Sequence, residues 1–178
     1  MGAPMTAFFR RQMTDYVEYH RDPWNYAAHV FGIIFLFLAA IAPLTLWPIS
    51  ILGVHSTLAS VMVLPVLIYW FALDAALGAA IVFAALLLLA TAALMVNTMS
   101  LSAIWATTAI LTFTGIGLQI VGHQVFERRQ PALVDNPSHL LLGPMFVMAK
   151  LFIALGFRDD LAAIIGRGAP AGPYPSDR

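Results

Sequence analysis

The chain has 178 residues, 61% of them hydrophobic and only 10% charged, with no cysteine and a formal net charge of zero. A soluble domain averages about half apolar and a quarter charged, so this composition predicts an integral membrane protein. The balanced charge gives no basis for nucleic-acid binding, and the lack of cysteine removes disulfides, thiolate metal sites and iron–sulfur clusters.

In chain order, residues 5–20 read as an amphipathic helix on the membrane surface, with Phe8, Phe9, Met13 and Val17 available to dip inward. No short apolar run ending in a cleavage site follows, so no signal peptide is predicted. Asp22-Pro23 then supplies an N-cap and a proline at the first helical position. A first span is predicted over 24–42, with Pro43, Trp47 and Pro48 forming the turn after it. A second span covers 53–72 and ends in the interface-type pair Tyr69-Trp70. Asp74 marks the next turn, a third span runs over 76–96, and a fourth over 103–123. Each approaches the ~20 residues that a hydrocarbon core requires. A last apolar piece, 140–157, is interrupted by Gly143-Pro144 and Lys150 and reads equally as a fifth span, a re-entrant segment or an interfacial helix. The predicted organisation is therefore all-α: an amphipathic N-terminal segment (1–22), a transmembrane helical domain (23–157) and a polar, flexible tail (158–178).

Four spans return the chain to its starting side. Arg10, Arg11 and Arg21 precede the first span, Arg128 and Arg129 follow the fourth, and the loops between the four spans contain no Lys or Arg. The positive-inside rule places both ends in the cytoplasm. The expected location is a membrane facing the cytoplasm, the inner membrane of a bacterium or the endoplasmic reticulum of a eukaryote.

The histidines gather at that face. His29 lies five residues inside the first span, with Asn25 and Gly32 on its side of the helix. His123 ends the fourth span, one turn before Glu127 and one turn after Gln119. His20 is juxtamembrane, separated from His29 by the Asp22-Pro23 break, and His139 falls on the same side as a candidate fourth member. His55 sits at the opposite face. An ionisable residue inside a span is costly unless it faces a partner or a cavity. Interhelical hydrogen bonding is one explanation; a shared metal site is the other. Imidazoles with a carboxylate suit Fe(II) or Zn(II) rather than Mg or Ca, with Glu127 either ligating or orienting a ligand. The small-and-polar stripe Thr108, Thr112, Gly115, Gly122 fits a close-packing face, a cavity wall or both.

The spaced residues Tyr16, His20, Asn25, His29 and Gly32, followed by Gly122-His123, Glu127 and Pro131-Ala132-Leu133, form a pattern. It resembles the 2-hydroxy fatty acid dioxygenase family of small membrane proteins, typified by the yeast phytosphingosine-metabolism protein. Asp135-Asn136 and Gly143-Pro144-Met145-Phe146 fit as well, so the resemblance covers roughly 12–157. It implies an Fe(II)-dependent dioxygenase of fatty-acid α-oxidation that shortens a long-chain 2-hydroxy fatty acid by one carbon using O2. By position, His20, His29 and His123 would be iron ligands and Glu127 a ligand or orienting carboxylate. This chain departs from the pattern at His139, where fungal members do not keep histidine, and at Lys150, where many carry Glu. Lys150 is then a candidate, with Arg21 and Arg128, to meet an acidic substrate head. Two rival readings are a bis-histidine haem protein of electron transfer and a non-catalytic lipid-binding module. A transporter lacks its expected internal repeat.

Overall fold

The computed structural model describes residues 6–130 and 137–166, with the side chains of Pro137 and Ser138 excepted. Pro131 to Asn136, which carry part of the family pattern, and the tail from 167 lie outside the described residues. Helix α1 (Ala7–Val17) starts at Thr6, whose hydroxyl accepts a hydrogen bond from Phe9 N at 3.2 Å. Helix α2 (Pro23–Thr45) is capped as expected: Asp22 Oδ1 accepts from Trp24 N and Asn25 N at 2.7 and 3.1 Å. These bonds satisfy donors that the first helical turn cannot pair internally.

The second expected span starts later than 53. Pro48–Ile51 (β1) and Val54–Thr57 (β2) pair as an antiparallel hairpin through Leu52 and Gly53, both at positive φ. β-Branched residues fill this stretch and favour strand, while a two-residue turn of this kind wants a glycine. Thr57 then caps helix α3 (Leu58–Leu73), which is 16 residues and so about 24 Å long. Asp74 both ends α3 and caps helix α4 (Ala75–Thr98), accepting from Ala76 N and Leu77 N. Ser100 opens helix α5 (Leu101–Val121), which continues into a single π-helical turn, Gly122–Glu127. Among the described residues, three helices are long and apolar enough to cross a membrane: α2, α4, and α5 with its π turn. Of the four expected spans, the second is the short one.

Chain direction still alternates, because the α3–α4 turn lies on the same side as the start of α2 and the end of α5. Trp70 Nε1 near the end of α3 donates to Leu141 O at 2.6 Å, next to the histidines. Among the described elements, helices α2 and α5 pack most extensively against each other. A Cβ on Gly32 would fall 2.6 Å from Gln119 Nε2 and 3.2 Å from Gly115 O, so the two backbones meet only because both positions are glycine.

The last apolar piece follows a 3₁₀ turn, Pro137–Leu141, as helix α6 (Leu142–Ala154) and a short helix α7 (Asp159–Ile165), bent from its predecessor by 116°. It is a bent pair rather than a straight fifth span. Leu142, Met145, Phe146 and Ala149 of α6 are buried together with Leu161 of α7 and with Phe9, Met13, Tyr16 and Val17 of α1. This corrects the sequence expectation for α1. Phe9, Met13 and Val17 are buried in the protein rather than in lipid, and only Phe8 of the four is exposed.

Candidate metal centre

Three imidazoles meet where α2 begins and α5 ends. His20 comes from the segment before α2, His29 from its second turn, and His123 from the π turn. Each offers one ring nitrogen, and the three nitrogens lie within 4.8 Å of one another. Their rings sit edge to face, with centroids 4.4 Å apart for His20–His29, 5.0 Å for His20–His123 and 5.2 Å for His29–His123. His20 Nε2, His29 Nδ1 and His123 Nδ1 are buried and lack a hydrogen-bond partner. Leaving three such atoms unsatisfied is costly, and one cation among them would satisfy the group. Burial, and then the neighbouring His29, push the His20 imidazole well below its usual pKa, which favours the neutral ligating form. The spacing fits a single small ion.

The expected carboxylate does something else. Glu127 Oε1 accepts from Arg21 N at 2.9 Å, and Oε2 accepts from Asp22 N and Asn25 Nδ2, each at 3.0 Å. Asn25 Nδ2 also donates to Tyr19 O at 3.2 Å. Both Glu127 oxygens are thus engaged in holding the loop that carries His20 onto the start of α2. The i→i+5 winding of the π turn, closed by Arg128 N donating to His123 O, lets His123 face inward while Glu127 reaches across to α2. Such turns are often found at functional sites.

His139 is buried nearby, its ring 5.6 Å from Tyr16 and 6.2 Å from Tyr19, but it is not in the three-histidine group. The expected cations are not among the residues that line the cavity beside the histidines. Arg128 is exposed in the left-handed conformation after the π turn. Arg21 pairs with Glu18. Lys150 lies over the rings of Tyr26 and Phe146, at 4.0 and 5.0 Å.

A cavity of about 450 Å³ opens from the histidines along the inner side of α2. Its head end holds Tyr16, His20, His29, Gln119, His123 and His139; its walls are Ile33, Leu36, Phe37 and Ala40 of α2, Ile116 and Ile120 of α5, and Leu140, Leu141 and Gly143. None of these lining residues is Lys or Arg. Ala40, Ile116, Ile120 and Leu140 are exposed, so apolar residues of the cavity wall reach the outer surface of the helices. Sequence reading missed the apolar wall, because the i, i+4, i+7 stripe from His29 to Leu36 has no polar residues around it to set it off.

Residues 6–155 match the family described as 2-hydroxy-palmitic acid dioxygenase Mpo1-like. Among curated proteins, the 2-hydroxy-palmitic acid dioxygenase MPO1 of Saccharomyces cerevisiae is 48% identical over 48 residues, a match spanning 26% of this chain and 28% of the yeast protein. No solved structure matches.

Proposed function

Because the chain belongs to the 2-hydroxy-palmitic acid dioxygenase Mpo1-like family, we propose that it is an Fe(II)-dependent membrane dioxygenase of fatty-acid α-oxidation. It converts a long-chain 2-hydroxy fatty acid and O2 into the fatty acid one carbon shorter, CO2 and water. The observation that carries this reading is the placement of three imidazoles, each with a buried unpartnered nitrogen, on the wall of an otherwise apolar cavity.

His20, His29 and His123 hold the metal, and Glu127 fixes the loop that presents His20. An all-imidazole donor set is compatible with zinc as well as iron, and the dioxygenase family favours iron. Bound there, ferrous iron supplies the redox capacity for O2 and a Lewis-acidic contact for the substrate head. The protein's part is placement and exclusion. From His29 to Ala40 the wall of α2 runs about 16 Å, enough to receive most of a long acyl chain while the polar head stays beside the histidines. The tail remains in an apolar medium throughout, so entry from the bilayer avoids the hydrophobic cost of carrying it through water. By the distribution of Arg across the chain, the site faces the cytoplasm.

The test is purified protein reconstituted anaerobically with Fe(II), then given O2 and 2-hydroxypalmitate. The expected result is O2 uptake with release of pentadecanoate, near-stoichiometric iron in the wild type, and loss of both in His29→Ala and His123→Ala. His139→Ala, outside the three-histidine group, is expected to retain iron. Zinc as the bound metal, with no O2 uptake after iron loading, would overturn the dioxygenase reading.

A further inference from the structure

Tyr16 lies outside the set of ligands yet touches most of the site. Its ring stacks on His20 at 4.0 Å with the planes 9° apart. Its backbone carbonyl is 3.0 Å from His20 Nδ1, and its hydroxyl is 3.1 Å from His29 Nε2. A carbonyl only accepts, so His20 carries its proton on Nδ1 and turns an unprotonated Nε2 inward, which is the buried, unpartnered atom.

His29 follows the same logic once a cation is considered. Its buried, unpartnered atom is Nδ1, and a nitrogen that holds a cation cannot hold a proton. The proton then sits on Nε2, which donates to Tyr16 Oη. A phenol that accepts at this bond still carries its own O–H, free to donate elsewhere. Tyr16 lines the cavity, and Gly143 keeps the space beside its hydroxyl open. A Cβ at 143 would fall 3.3 Å from Tyr16 Oη and 2.8 Å from Ile33 Cδ1. With no Lys or Arg among the described residues of the cavity wall, this O–H is a neutral donor placed beside the point where an acid head would meet the metal.

We propose that Tyr16 is a positioning and head-group-binding residue: its backbone carbonyl fixes the tautomer of His20, its hydroxyl holds the His29 ring through Nε2, and that hydroxyl donates to the carboxylate or 2-hydroxyl of the bound acid. The proposal rests on the histidine cluster being a metal site.

The experiment uses Co(II), whose visible bands report ligation without turnover, titrated into the detergent-purified full chain. Binding of 2-hydroxypalmitate is then read as a change in those bands. Wild type is expected to bind Co(II) and His123→Ala to lose it, which tests the metal reading separately. In Tyr16→Phe the stack is kept and the hydroxyl lost. Co(II) affinity should fall about tenfold or more, the usual scale for removing a group that orients a ligating histidine, and the acid-induced change should need a similarly higher concentration. A merely structural role predicts wild-type affinities with a lower unfolding temperature, which would overturn the proposal. Gly143→Ala serves if Tyr16→Phe does not fold. Its methyl crowds the hydroxyl, so Co(II) affinity should hold while acid binding weakens; unchanged acid binding would overturn the head-group role. Failure of the wild type to bind Co(II) would overturn the metal reading and this proposal together.

Discussion

Glu127 accepts three hydrogen bonds from donors more than a hundred residues away in sequence. The one-turn spacing from His123 made it a candidate ligand or orienting carboxylate, and nothing in the spacing shows that the loop before α2 closes onto it. Its role in the fold separates two outcomes. Glu127→Ala strands two backbone amides and the Asn25 amide, which should cost about 2 kcal/mol and lower the thermal midpoint along with metal affinity. If Glu127 instead ligated the metal, Glu127→Gln would lose metal at unchanged apo-protein stability. Thermal unfolding of apo protein beside metal titration distinguishes them. His20, His29 and His123 were legible at this scale because polar residues at the ends of apolar segments are few, and each needed a reason to be there. Tyr16 was visible only as a member of the family pattern; an aromatic residue in an amphipathic helix is ordinary, and its stacking on His20 depends on how α1 docks.

Helix α1 was predicted by composition and misplaced by it. A short helix with one apolar face reads as a surface helix whenever the chain is a membrane protein, since lipid and a protein interior reward the same pattern. Here α6 and α7 supply the interior. Their kink at Gly156, where φ is positive, folds the last apolar piece back over α1. Phe9 is fully buried and Phe8 is half exposed on the neighbouring face, so the pair reports which environment is correct. Phe9→Ala should cost about 3–5 kcal/mol and loosen the His20 loop, whereas Phe8→Ala should change the apo unfolding midpoint little. Equal effects would return α1 to the lipid surface. The α7 end of this layer is pinned by Arg158, which reaches Asp74 at 2.8 Å and Asp160 at 2.8 Å. Asp74 is nearly buried and also caps α4. Arg158→Ala would leave its carboxylate unpaired, at a cost of about 3 kcal/mol. Arg158→Lys should recover only part of that, because one ammonium cannot match the fork geometry of a guanidinium. Chemical denaturation of the three proteins gives the comparison.

At the scale of the molecule, the fold makes one polar end from parts that are distant in sequence. The segment before α2, the π turn after α5, the α3–α4 turn and the α6–α7 layer all gather there, while the hairpin β1–β2 and the α4–α5 turn lie at the other end. That arrangement needs the chain to pass between the ends four times, and α3 makes its pass in only 16 residues. Its hydropathy let the sequence reading extend it to 53, but Leu52-Gly53 turns the chain into a hairpin instead. A pass of about 24 Å is shorter than a typical hydrocarbon core, so α3 falls outside the set of helices long enough to cross. The absence of cysteine from the whole chain makes the topology directly measurable. Leu52 is fully exposed at the tip of the hairpin and Arg10 is exposed on α1. A single cysteine placed by Leu52→Cys or Arg10→Cys should therefore react with a membrane-impermeant maleimide in sealed vesicles of opposite orientation. Arg10→Cys is expected to label only from the cytoplasmic side and Leu52→Cys only from the other. Labelling of both from one side would mean that α2 does not cross, and the histidines would then sit at an interface reached without passage of the chain through the bilayer.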